Sequence, residues 1–161
     1  EADLPPFEDY NMDGRTYRYF SGDPLYEFGF GLSYTNFTYR DLQISPQKVR
    51  AGESVSVRVE VENSGDRLGD EVVQFYLQDV QATVPVPRLQ LQGFGRFRLA
   101  PGERKTVQFT LTPEQMSLVD DEGEWILEPG EFKLWVGGQQ PNLKSDIQPG
   151  NVLGGQFTVQ S

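Results

Sequence analysis

Between Ser54 and Glu62 the chain alternates with period two: Val55, Val57, Val59 and Val61 interleave with Ser56, Arg58, Glu60 and Glu62. β-branched residues at every second position, with polar residues between them, specify a strand that has one buried face and one wet face. A slip of one residue would turn every valine to water, at roughly 1.5–3 kcal/mol each, so this face fixes register by itself.

The same period recurs along the chain. Asn63-Ser64-Gly65-Asp66 reads as a turn. From Asp70 to Asp79, Val73, Phe75 and Leu77 share one face, and Val72, Gln74 and Tyr76 the other. Leu91 to Leu99 reads as a strand whose glycines at 93 and 95 signal a bulge or a close backbone approach. Lys105 to Thr112 turns Val107, Phe109 and Leu111 inward. Glu131 to Val136 turns Phe132, Leu134 and Val136 inward and Lys133 and Trp135 outward. Phe37 to Ile44 supplies a first strand, and Gly155 to Gln160 a last one through Phe157 and Val159. About seven short strands at near-regular spacing are the signature of an all-β, antiparallel two-sheet β-sandwich. One helical turn is expected at Pro113 to Leu118, with Thr112 as its cap. Ala51-Gly52-Glu53, Pro101-Gly102-Glu103 and Pro129-Gly130-Glu131 each stand before a strand and read as turns whose glycine supplies positive φ.

Residues 1–36 depart from this pattern. They carry Phe7, Tyr10, Tyr17, Tyr19, Phe20, Tyr26, Phe28, Phe30 and Tyr34 with several glycines, and neither helical nor strand periodicity persists. The expected organisation is therefore an irregular aromatic N-terminal arm or inter-domain linker over residues 1–36 and a sandwich over residues 37–161. So aromatic a segment suits a surface to pack on, either its own domain's or a neighbour's. The start, Glu1-Ala2-Asp3-Leu4-Pro5-Pro6, has neither a basic region nor an apolar core, so it does not read as a signal peptide; it reads as the middle of a longer protein.

Composition narrows the chemistry. At 161 residues with 37% hydrophobic residues, the chain can build one real core. The net charge of −10 repels phosphate backbones and anionic lipid, which argues against nucleic acid and membrane-surface partners. There is no Cys and no His, which removes disulfides, thiolate metal sites and any Ser/His/Asp triad. No run of apolar residues is long enough to span a bilayer. Carboxylates are the remaining acid/base groups. The densest cluster, Asp120, Asp121, Glu122 and Glu124 around Gly123, reads as a solvated turn tip and does not match a calcium loop. Gly29-Phe30-Gly31 lacks the third glycine of a phosphate loop, and Asn36-Phe37-Thr38 is a chance-level glycosylation tripeptide. No catalytic, cofactor or metal-binding residue is expected. Trp135 and Tyr76 fall on the outer faces of their strands. There they could stack a sugar ring, dock a neighbouring domain, or lie beneath the arm.

The run Tyr17-Arg18-Tyr19-Phe20, followed by Pro24-Leu25-Tyr26-Glu27-Phe28-Gly29-Phe30-Gly31-Leu32-Ser33-Tyr34-Thr35-Asn36-Phe37, closely resembles a signature of family 3 glycoside hydrolases. In that family a "PFGYGLSYT" run leads from the second catalytic domain into a fibronectin type III-like domain; here Glu27 replaces the usual Pro, and Phe30 a frequent Tyr or His. Val61 to Asp66, Gly69 to Tyr76, Pro85 to Phe97, Pro101-Gly102-Glu103 and Leu111 to Glu114 continue the resemblance in order. The Arg15 to Phe20 stretch looks most like the β-xylosidase branch.

The resemblance implies a fibronectin type III-like, immunoglobulin-like sandwich in an accessory role. Its parent would be a retaining, exo-acting β-glucosidase or β-xylosidase that hydrolyses terminal non-reducing sugars with carboxylates supplied upstream. No catalytic residue carries over. The implied partners are the parent's own catalytic domains, with carbohydrate as an alternative. The implied contact residues, to a domain or a sugar, are Tyr17, Tyr19, Phe20, Tyr26, Phe28, Phe30, Tyr34, Tyr76 and Trp135. The family leans towards a secreted or periplasmic setting, although the residues leave the compartment open. Rival readings are a carbohydrate-binding module with Trp135 and Tyr76 as platforms, and an adhesive surface domain.

Overall fold

The computed structural model describes residues 6–145, 148 and 151–161. Its strands are β1 (Phe37–Ser45), β2 (Lys48–Arg50), β3 (Val55–Asn63), β4 (Gly69–Asp79), β5 (Gln90–Leu99), β6 (Arg104–Leu111), β7 (Leu118–Val119), β8 (Trp125–Ile126), β9 (Gly130–Gly137) and β10 (Val152–Gln160). Two single-turn helices accompany them, α1 (Thr16–Tyr19) and α2 (Pro113–Met116). A three-stranded sheet, β1-β3-β6, faces a five-stranded sheet, β2-β10-β9-β4-β5, and β7 and β8 form a separate small hairpin.

The valine stripe does what its period demands. Val55, Val57, Val59 and Val61 are essentially inaccessible to solvent, and β3 sits at the centre of its sheet, paired with β1 on one side and β6 on the other. From the facing sheet come Val73, Phe75 and Leu77 of β4, Phe132, Leu134 and Val136 of β9, and Phe157 and Val159 of β10. Phe75 stacks on Phe109 of β6 across the sandwich with ring centroids 4.8 Å apart. That stack explains the first glycine of β5: a Cβ on Gly93 would stand 2.4 Å from the Phe109 ring. Beside it the β4–β5 register shifts between Phe75 and Tyr76, so both expectations for the glycines, bulge and close approach, are met.

Several local features differ from the sequence reading. β2 pairs parallel with β10, whereas the other strand pairs among the described residues are antiparallel. With only Val49 buried among its residues, a three-residue edge strand leaves no periodic trace. Gly52 and Gly102 take the positive φ expected of them, but Gly130 does not: it is the first residue of β9 and pairs with Val159. Residues Thr16–Tyr19 form a helical turn inside the arm. The expected turn at Pro113 forms, with Gln115 Oε1 accepting from the Thr112 backbone N–H at 3.1 Å. Among the described residues, no helix is long and apolar enough to cross a membrane.

Candidate functional site

The arm lies on the outer face of the five-stranded sheet and is two-sided. Its inner side is fixed mainly through its carbonyl oxygens. Phe28 O accepts from Gln140 N at 2.8 Å, and Arg18 O accepts from Arg88 N at 2.9 Å. Phe20 O accepts from Arg88 Nη1 at 3.0 Å. Gln74, on the outer face of β4, uses one amide nitrogen to tie two segments together: Nε2 donates to Gly29 O at 3.2 Å and to Gly138 O at 2.8 Å. The Tyr17 ring stacks on Phe28 at 4.0 Å and meets Tyr76 edge-on at 6.4 Å, while its hydroxyl accepts from Leu91 N at 3.1 Å. Aromatic pairs of this kind add about 0.5–1.5 kcal/mol beyond their buried area.

Where the arm ends, Thr35 is locked by Asn63, a fully buried side chain at the end of β3. The Thr35 hydroxyl donates to Asn63 Oδ1 at 2.7 Å, and Gly65 N donates to the same oxygen at 3.1 Å. Asn63 Nδ2 donates to Arg67 O at 2.7 Å and Leu99 O at 2.9 Å. The amide is thus used at both ends, as burial requires.

Tyr76 is fully buried. Alternation turns it outward, and of the environments open to it there the structure shows the one beneath the arm, with Tyr17 edge-on to its ring; it is not a free sugar platform. Burial beside Tyr17 pushes its phenol pKa well above the ordinary tyrosine value. Trp135 is likewise not a free platform. It is half-buried, with its indole over Gly154, where a Cβ would stand 3.0 Å from the ring, and it shares a pocket with Asn142, Leu143 and Gln148 of the segment after β9. Tyr17 and Tyr19 are half-buried in the arm itself.

The arm's outer side is open. Phe20, Tyr26, Phe28 and Phe30 are exposed, and Leu32 and Tyr34 are each 92% exposed. Tyr26 and Phe30 stack on each other at 4.9 Å. Between α1 and the segment Gln140–Lys144 a pocket of about 370 Å³ opens, walled by Tyr17, Phe20, Phe28 and Arg88. Glu27 at this rim has a raised carboxyl pKa, chiefly from desolvation and then from Asp23, with Lys144 opposing. The apolar surface continues onto the sheet. Phe94, directly across from Gln74, is 72% exposed, and Val72 on the same outer face is exposed too. Phe94 escaped the sequence reading, although its position was legible. Gly93 faces the core, so the residue after it must point outward.

The carboxylates are dispersed among structural tasks. Asp120 caps the β7–β8 hairpin tip by accepting from the backbone of Glu122 and Glu124 at 3.0 and 2.8 Å, as the turn reading expects. Glu71 accepts from the Tyr39 hydroxyl of the opposite sheet at 2.7 Å; desolvation raises its pKa, and the Tyr39 and Val72 hydrogen bonds partly offset the rise. Among the described residues, no group of three or more His, Cys, Asp or Glu is placed to hold a metal ion.

Residues 71–140, from β4 through β9 and into the segment that carries Gln140, match the fibronectin type III-like domain family. The flanking strands and the arm find their counterparts in whole-protein relatives. A periplasmic β-glucosidase of Salmonella typhimurium is 40% identical over 141 residues, which is 86% of this chain and 18% of that protein. A putative β-xylosidase of Formosa agariphila is 38% identical over 80% of this chain and 17% of its own length. The chain belongs with the fibronectin type III-like domains of family 3 glycoside hydrolases. The solved structure of a β-glucosidase from Listeria innocua in complex with glucose superposes with a TM-score of 0.75 at 35% identity, over 86% of this chain and 18% of that one. This chain therefore spans under a quarter of the length of these relatives, and the homologous domain is one part of a larger enzyme.

Proposed function

We propose that this domain is a non-catalytic accessory unit of a family 3 β-glycosidase, stabilising the catalytic domains by packing its arm face against them. The parent's reaction is then the retaining hydrolysis of terminal, non-reducing β-linked glucose or xylose. The observation that carries the proposal is the two-sidedness of the arm. Its inner side is held to the sheet by Gln74, Arg88 and Gln140. Its outer side presents Phe20, Tyr26, Phe28, Phe30, Leu32 and Tyr34 next to Phe94. Exposed large apolar side chains gathered on one arm, beside a pocket, mark an interface. Residues 1–36 as arm and 37–161 as sandwich are the division we propose, and the arm aromatics the contact set. Tyr17 and Tyr76 act indirectly, as the floor on which the arm rests.

The test compares substitutions in two settings. Leu32→Ser, Tyr34→Ser and Phe94→Ser remove side chains that touch little in this chain, so each should change its stability by less than about 0.5 kcal/mol. In the full-length enzyme the same changes remove buried contacts and should cost about 1–3 kcal/mol each. Equal small effects in both settings would mean that this face is not the interface.

A further inference from the structure

A second site stands apart from the arm's aromatic face. Trp125, on β8, is 70% exposed, and its cross-strand partner Val119 is 44% exposed. Among the described residues the indole stays largely open to solvent, although Leu118 beside it is buried. The ring borders a groove of about 550 Å³ whose remaining walls are polar: Gln90, Gln92, Glu114, Gln115 and Ser117.

The groove is built, not incidental. Gln92 and Gln115 clasp each other reciprocally: Gln92 Nε2 donates to Gln115 O at 3.0 Å, and Gln115 Nε2 donates to Gln92 O at 2.9 Å. This clasp fixes α2 against the edge strand β5 and sets Glu114 on the groove's rim. Ser117 is held by its hydroxyl donating to Pro113 O at 2.8 Å. Glu114 is fully exposed, and its pKa is lowered by a hydrogen bond from Thr112, so it stands as a carboxylate at neutral pH.

We propose that this groove binds a neutral β-linked oligosaccharide, stacked on Trp125 and accepted through its hydroxyls by Glu114 and Gln90. The chemistry separates this occupant from a protein. The arm face offers a run of phenyl rings, whereas the groove offers one indole and a rim of amides and a carboxylate. An all-equatorial pyranose needs that combination: a flat C–H face for a ring, and a hydroxyl rim for planar polar groups. The net charge of −10 and the Glu114 carboxylate select against uronate polymers. The inference does not depend on the arm's role.

The test uses this chain and three probes: cellohexaose, xylohexaose and an oligogalacturonate. The chain has two tryptophans, so intrinsic fluorescence reports the site directly. A saturable change is expected with a neutral probe and not with the oligogalacturonate. Trp125→Ala should abolish it, and Glu114→Gln should weaken it by about tenfold, as loss of a charge-assisted hydrogen bond would. Isothermal calorimetry of the same variants reads binding without the fluorophore. Both positions are solvent-facing, so circular dichroism should show both variants folded. The proposal is overturned if neither neutral probe saturates, or if calorimetric affinity survives Trp125→Ala, whatever Trp135→Ala does.

Discussion

Asn63→Ala removes one side chain and strands four groups. In the intact domain the amide accepts from the Thr35 hydroxyl and Gly65 N–H and donates to the carbonyls of Arg67 and Leu99. Gly65 and Arg67 lie near enough to solvent for water to replace the lost bond. The Thr35 hydroxyl and Leu99 O are buried, and each should cost about 1–3 kcal/mol when left unpaired. The expected destabilisation is therefore about 2–6 kcal/mol. That is a large share of the stability of a typical domain and a fall in Tm of roughly 5–20 °C. Chemical denaturation of the variant measures it. A cycle with Thr35→Val should show coupling of about 1 kcal/mol, because the two residues share a bond. A loss below about 0.5 kcal/mol would refute the idea that Asn63 pins the end of the arm to the sandwich.

Val57→Asp should unfold the domain, because it places an unpaired charge at a fully buried position in mid-strand, whereas Arg58→Ala on the wet face should shift stability by under about 0.5 kcal/mol; equal melting shifts would contradict the assigned faces. Gly93→Ala would put a Cβ 2.4 Å from the Phe109 ring and should cost about 1–3 kcal/mol by overpacking, read as a lowered Tm. The carboxyls of Glu71, Asp79 and Glu27 are all raised, first by desolvation. A raised folded-state pKa contributes stability that is full below the unfolded value and is lost as pH rises through the folded value. Stability should therefore decline as pH rises above the ordinary carboxylate range, from 3.8 for Asp79 and 4.5 for Glu71 and Glu27. Glu71→Gln keeps an acceptor for Tyr39 and should flatten part of that decline; an unchanged pH profile would refute the assignment of Glu71.

The sandwich was legible because a half-buried strand must write its two faces into the sequence. The valines of β3 and the inward residues of β4, β6, β9 and β10 follow from period two. Alternation says which way a side chain points and not what lies above it. That is why Tyr76 could be placed on its face while its environment, a sugar, a neighbouring domain or the arm, stayed open until the structure showed the arm above it. The arm's path has no period to read: it is held by its own carbonyls meeting Gln74, Arg88 and Gln140, contacts that any residue can make. β2, β7 and β8 are too short to show a pattern. Trp125 was visible next to an acidic turn, where a core residue would not sit, but nothing local marked the groove that Gln92 and Gln115 build beside it.

The central claim is that the outer side of the arm is a domain interface. Hydroxyl-radical footprinting of aromatic side chains tests it most directly, on this chain alone and on the full-length enzyme. Tyr26, Tyr34 and Phe94, exposed at 65%, 92% and 72%, should label strongly in the isolated chain. In the full-length protein they should be protected, while Trp125 stays reactive. Equal labelling of Tyr34 and Phe94 in both proteins would contradict the account.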